Sequence, residues 1–219
     1  IAHAWRISNG GSTPVLTIHG MLDSGNCYKP RLLMALLGRP FRHAEVSTLD
    51  GSTRTPEFLR RNPAGQCPLL EREDGELLAE SNAILVYLGE NTGFVPQVAL
   101  GRARMLRWMF FEQNAHEPTV AVRRSLTVYP SRRADATPER MALLARGGLS
   151  ALAVMERHLE EAPFFGGDAP SLADIALYPY SASAPEGGFD LAPFPSLRLW
   201  LARIEALPGF RPRDWIPND

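Results

Sequence analysis

Ser24-Gly25-Asn26-Cys27 places a hydroxyl, an amide and a thiol within one turn of a segment that begins a helical pattern. A C-x-x-C pair in that position exchanges disulfides, because a helix N-terminus stabilises the thiolate of its first cysteine. Here Ser24 holds the first position and Cys27 the second, so the attacking thiol is missing and dithiol exchange within this motif is disfavoured. Two roles fit Ser24. It caps the helix, or it donates a hydrogen bond to an anion that belongs to a ligand. A ligand thiol ionises near pH ~8.5, and lowering that by two units takes about 2.7 kcal/mol. One charge-assisted hydrogen bond contributes about 1.5–3 kcal/mol. A hydroxyl aided by a helix N-terminus is therefore sufficient.

Glu80-Ser81 stands before a second helical run, Ala83-Ile84-Leu85-Val86-Tyr87-Leu88. Ser81 reads as its N-cap, with Glu80 beside a helix start that favours negative charge. Unpaired N–H groups there would take a ligand carboxylate, and Glu80 would take an ammonium. A ligand with both groups on one carbon, an α-amino acid end, fits that corner. A plain cap with a solvated Glu80 fits the two residues equally. The third stretch is Cys67-Pro68, which leads the apolar pair Leu69-Leu70. A proline there belongs at the start or edge of a strand. Its peptide bond can be cis, although trans is the commoner form.

The elements that must position these residues follow from pattern. Val15–His19 is a buried strand, and Cys27–Leu37 is a helix with Pro30 tolerated in its first turn. Arg42–Ser47 is a second strand and Pro56–Leu59 a helical turn. Leu69-Leu70 and Leu77-Leu78 flank a Gly-containing charged turn and predict a hairpin. Strand, helix, strand, hairpin, helix is the thioredoxin-like order. The expected first domain spans residues 13–90, with a linker over 91–101 that holds Gly93 and Pro96. Residues 102–217 show no convincing strand and predict an all-α bundle. Its first helix runs from Arg102 to Glu117, where Pro118 should end or kink it. Thr137-Pro138-Glu139 opens another helix, Ser171-Leu172-Ala173-Asp174 is a capping box, and Phe194-Pro195-Ser196-Leu197 opens the last.

Composition narrows the function. The 23 basic and 24 acidic residues give a net charge of −1 with no block of one sign, so nothing marks a nucleic acid or an anionic membrane as partner. Lys29 is the sole lysine among many arginines, which reads as coding bias. No apolar run reaches a membrane span of about 18 residues. Cys27 and Cys67 cannot scaffold a chain of 219 residues, and a reducing cytoplasm is the expected location. His3, His19, His43, His116 and His158 lack metal-ligand spacing, so no metal is expected. Residues 1–12 lack a basic, then apolar, signal pattern and read as a loose tail.

SGNCYK at Ser24–Lys29, NPAGQCPLL at Asn62–Leu70 and ESNAILVYL at Glu80–Leu88 resemble the glutathione-site motifs of the glutathione transferases. RWMFFEQNAHEP at Arg107–Pro118 and PSLADIALYP at Pro170–Pro179 resemble the family's helical-domain motifs. The resemblance runs from Thr13 onward, in the theta-, delta- and beta-like bacterial branches. It implies a thioredoxin-like domain joined to an all-α domain, usually as a homodimer, that conjugates glutathione to a hydrophobic electrophile without a metal. It implies that Ser24 activates the thiol, and that Asn26 lies where beta-like members carry cysteine. Cys67-Pro68 then matches the cis-proline step, whose backbone pairs with the cysteinyl part of glutathione. Glu80 and Ser81 match the pair that holds its γ-glutamyl group, with Gln66 and Arg54 candidates for the glycine end. The electrophile pocket is expected between Met21-Leu22 and the helix carrying Trp108 and Phe111, although that apolar spacing equally describes a packed core. Thr53 replaces the family's histidine ahead of PEFL, and Cys67 replaces an aliphatic residue. A glutathione-dependent thiol–disulfide activity centred on Cys27 or Cys67, and a non-catalytic glutathione-binding module, are the alternatives.

Overall fold

The structure, a computed structural model, describes residues 15–217; the tail read over residues 1–12 lies outside them. Four strands form one sheet in the order β2-β1-β3-β4. Strand β1 (Leu16–Gly20) pairs in parallel with β2 (Phe41–Glu45) and antiparallel with β3 (Leu69–Glu71), which forms a hairpin with β4 (Leu77–Ala79). The parallel pair needs a crossover, supplied by helix α1 (Gly25–Leu36). Helix α2 (Pro56–Arg61) precedes the hairpin, and α3 (Ser81–Gly89) follows it. This is a thioredoxin-like sheet with its helices, and the remainder of the described chain is helical.

The helical part consists of α4 (Ala99–Phe111), a π-helical stretch Glu112–Ala121, α5 (Val122–Val128), α6 (Pro138–Leu159), α7 (Leu172–Ala182) and α8 (Pro195–Glu205). Helix α4 starts within the span read as linker, and Pro118 does not end the rod that continues from it. A proline lacks an N–H and clashes with the preceding turn; the wider π geometry accommodates Pro118 inside the stretch and the rod continues into α5.

Thr137 caps α6 through its side chain, and Ser171 with Asp174 closes the capping box at α7. Asp174 is fully buried, and it also accepts hydrogen bonds from Phe165 N at 2.8 Å and Trp200 Nε1 at 2.9 Å. The cap therefore ties α7 to α8 as well as starting a helix. One continuous apolar core runs from Ile18 and Leu33 in the sheet layer through Leu85 and Trp108 to Ile175 and Trp200. Helix α1 packs on α3 and on α7, so the N-terminus of α1 is held between the two parts of the molecule.

Candidate active site

The N-terminus of α1 is built by three contacts. Ser24 is the N-cap, accepting a hydrogen bond from Cys27 N at 3.4 Å, while its own N–H reaches Met21 O at 3.1 Å. The Asn26 N–H donates to the hydroxyl of Tyr180 on α7 at 3.2 Å. Burial pushes the Tyr180 phenol well above its ordinary range, so it stays protonated. An added Cβ at Gly25 would lie 2.6 Å from the Tyr180 ring, so only glycine admits this approach. Tyr180 thus holds the first turn of α1, at Gly25 and Asn26, from the helical side.

Cys67 enters from the opposite wall. Continuing the β1–β3 register past His19↔Leu69 sets Cys67 across from Met21, and the Cys67–Pro68 peptide bond is cis. At the third wall, Glu80 rather than Ser81 takes the N-cap position of α3. Glu80 has φ 70° and makes no side-chain cap. Such a backbone is uncommon outside glycine, costs about 1–3 kcal/mol and concentrates at ligand clamps. It leaves the first N–H groups of α3 without a side-chain acceptor.

These walls enclose a cleft with two arms. One, of about 120 Å³, is lined by Asn62, Pro68, Glu80, Ser81 and Gln113. The other, of about 140 Å³, is lined by Met21, Ser24, Leu49, Glu117, Tyr129 and Arg132 among others. Asn26, Gln66 and Cys67 belong to both. The structure therefore brings together Ser24, Asn26, Gln66, Cys67, Pro68, Glu80, Ser81 and Met21.

Four other predicted residues lie elsewhere. Arg54 folds onto the neighbouring loop, donating to Ala64 O at 3.2 Å. Leu22 lines a separate surface hollow with Tyr28 and Tyr178. Trp108 is buried in an aromatic cluster, with ring centroids 4.6 Å from Phe165 and 4.8 Å from His158. Phe111 packs edge-on against it at 5.2 Å and borders a different hollow with Arg107 and His158. Trp108 and Phe111 both line that hollow, which shares no residue with the two arms of the cleft.

A polar layer beneath the cleft escaped the sequence reading. Lys29 on α1 and Glu112 on the π-helical stretch are fully buried and pair at 2.9 Å. Lys29 also reaches Ser81 Oγ at 3.3 Å, and Asn82 Nδ2 donates to Glu112 at 3.1 Å. Ser81 Oγ in turn lies 3.5 Å from Asn26 Oδ1. Burial, helped by nearby Glu112, raises the Glu117 carboxyl toward the neutral form. The rim is charged. Arg124 and Tyr129 both hold Asp23, at 2.9 and 2.6 Å, and those bonds keep Asp23 ionised against the cost of its burial. The signal for Lys29 was its singularity; for Glu117 and Tyr180 no local pattern pointed inward. Among the described residues no cluster of His, Cys, Asp and Glu could hold a metal, and no helix is long and apolar enough to cross a membrane.

The comparisons with known proteins agree with this architecture. The profile described as "Glutathione S-transferase, N-terminal domain" matches residues 23–91, and "Glutathione S-transferase, C-terminal domain" matches residues 138–203. A solved glutathione S-transferase from Pseudomonas fluorescens superposes with a TM-score of 0.88 at 42% identity, over 91% of this chain and 98% of that one. Maleylacetoacetate isomerase of Rhizobium meliloti is 33% identical over 86% of this chain and 90% of its own length. The disulfide-bond oxidoreductase YfcG of Escherichia coli is 29% identical over 84% of this chain and 87% of its own length. With both family profiles, this fold and these relatives, the chain belongs to the glutathione S-transferase family.

Proposed function

We propose that the protein is a glutathione transferase in which Ser24 holds the glutathione sulfur as a thiolate for attack on a small electrophile. The observation that carries this reading is the two-armed cleft, with Ser24 on one side of the shared Asn26, Gln66 and Cys67 and Glu80-Ser81 on the other. The uncapped start of α3 supplies N–H groups for the γ-glutamyl carboxylate, and Glu80 supplies an acceptor for its ammonium. The sulfur then lies toward Ser24. The Ser24 oxygen is already used as an acceptor by Cys27 N, which leaves its proton to donate to the thiolate. An ionised carboxylate at Glu117 would oppose that anion; burial shifts the group toward its neutral form and so lessens the conflict.

The outer arm differs from the hydrophobic pocket that the sequence suggested. Apolar Met21, Leu49 and Val122 face Ser125, Tyr129 and Arg132 there. This lining suits an electrophile with a short apolar body and an anionic end directed to Arg132. Conjugation, isomerisation and disulfide reduction by one purified sample, each with glutathione, separate the reading from its alternatives. Ser24→Ala should abolish most conjugation while glutathione is still bound. Conjugation at the unaltered rate in that variant would overturn the role given to Ser24.

A further inference from the structure

Two hydroxyls meet at the start of α1. The Ser24 oxygen takes the N–H of Cys27 at 3.4 Å, and the Tyr180 phenol, reaching across from α7, takes the N–H of Asn26 at 3.2 Å. Two neighbouring amides of this helix end are therefore turned to hydroxyl oxygens. The positive end of α1 meets a ligand through O–H groups that those amides have already engaged. A hydroxyl that accepts a hydrogen bond becomes a stronger donor, because successive bonds polarise one another.

Tyr180 is only 8% exposed, yet it lines the outer arm of the cleft beside Ser24, Asn26 and Cys67. Its ring passes so close to Gly25 that an added Cβ there would clash with it, which fixes where the hydroxyl lies. A phenol has one proton to donate. Among the described residues this O–H gives no hydrogen bond to a protein acceptor, and its one bond is the Asn26 contact in which it accepts. A buried donor left without an acceptor is costly, and phenylalanine would fill a position that needed packing alone. An anion in the outer arm is the acceptor that suits this donor.

We propose that Tyr180 is a second catalytic residue of this cleft, donating a hydrogen bond to the glutathione sulfur alongside Ser24. The inference rests on the glutathione transferase reading above. When the thiol ionises, its proton leaves to solvent and the electron pair stays on sulfur. Ser24 and Tyr180 keep their own protons and direct them at that pair, and no bond to the protein forms. Burial keeps the phenol protonated, as a donor must be. The two donors come from different parts of the molecule, Ser24 from the sheet layer and Tyr180 from the helical part. Docking of α7 onto α1 thus completes the thiolate site as well as the fold.

The absorbance of the bound thiolate is titrated in three proteins: wild type, Tyr180→Phe, and one carrying a ring-fluorinated tyrosine at position 180. Glutathione binding is measured by calorimetry on each. Cys27, Cys67, Glu117, Arg124, Tyr129 and Arg132, the other ionisable groups around the phenol and the arm, are unchanged throughout. Tyr180→Phe should raise the midpoint by about one unit, a tenfold loss of preference for the thiolate. Fluorine makes the phenol more acidic and a stronger donor while the ring and hydroxyl stay in place, so that protein should titrate below wild type. A midpoint that neither change moves overturns the proposal and leaves the role of Ser24 standing. A midpoint raised in Tyr180→Phe but not lowered by fluorine makes Tyr180 a packing residue and overturns the proposal too. If Tyr180→Phe does not fold, the fluorinated protein decides by the same criterion. A wild-type midpoint equal to that of free glutathione removes the thiolate reading, and this inference with it.

Discussion

Helix α4, Ala99–Phe111, and its π-helical continuation, Glu112–Ala121, differ in what they offer the rest of the molecule. The first directs Met105, Trp108 and Met109 into the core and closes an aromatic cluster with Phe165 and His158. The second directs Glu112 and His116 inward as buried polar groups and brings Gln113 and Glu117 to the cleft. Apolar residues at helical spacing thus mark adhesion between helices. Buried polar residues on the same rod mark the side where ligand chemistry sits, since each must find a partner in the interior. Gln113 and Glu117 reach the cleft from the part of the rod that departs from α geometry, a departure that often accompanies functional sites.

Variants that exchange one character for the other test this division, and the largest effect should come from the ion pair. Lys29→Met leaves Glu112 buried without its cation and should cost about 3–5 kcal/mol in denaturant unfolding. Lys29→Met combined with Glu112→Leu should recover most of that stability, because an apolar pair of similar volume tolerates burial. It should not recover glutathione affinity, since Ser81 loses its Lys29 partner in both variants.

The next effect is in pH. Burial lowers His116 to about 4 from its ordinary value of 6.5, so the folded protein holds it neutral where the unfolded chain protonates it. Its contribution is fully present above pH ~6.5 and lost as pH falls through the folded value, amounting to about 3 kcal/mol at the acid limit. Equilibrium unfolding from about pH 7 to about pH 4 should show that slope, reduced in His116→Asn.

Ser24→Ala should lower kcat/KM for conjugation by about tenfold to a hundredfold, matching the loss of one charge-assisted hydrogen bond of about 1.5–3 kcal/mol. The smallest expected effect sets the cleft against the aromatic side of α4. Arg132→Met should raise KM for an anionic electrophile by about tenfold, equivalent to about 1.4 kcal/mol. Phe111→Leu should leave that KM unchanged and lower thermal stability instead. A raised KM in Phe111→Leu would return the electrophile to the aromatic side.

Much of the fold was legible because it rests on local rules. The Gly75 turn between two apolar pairs gave the hairpin, and Thr137 and Ser171 gave helix starts that the structure keeps. The same rules misassigned Ser81, which is the first helical residue, because Glu80 adopts a positive φ that no propensity anticipates. At Pro118, read as an end or a kink, the chain leaves α geometry and the rod continues. Among the site residues, Ser24, Asn26 and Cys67 were found through motifs, since their neighbours in sequence position them. Glu117, Tyr180 and Arg132 were missed because their roles arise from packing of the helical part onto α1. Lys29 was visible as the single lysine but was read as coding bias, whereas its isolation accompanies a buried ion pair.

The central claim is that glutathione binds with its sulfur held as a thiolate beside Ser24. Titrating the thiolate absorbance of glutathione bound to the wild-type protein, and to Ser24→Ala, measures that directly. The account predicts a midpoint about two units below the free value of ~8.5 in the wild type, moving back toward it in the variant. A bound thiol that titrates as it does in free solution, or a shift that survives intact in Ser24→Ala, would contradict it.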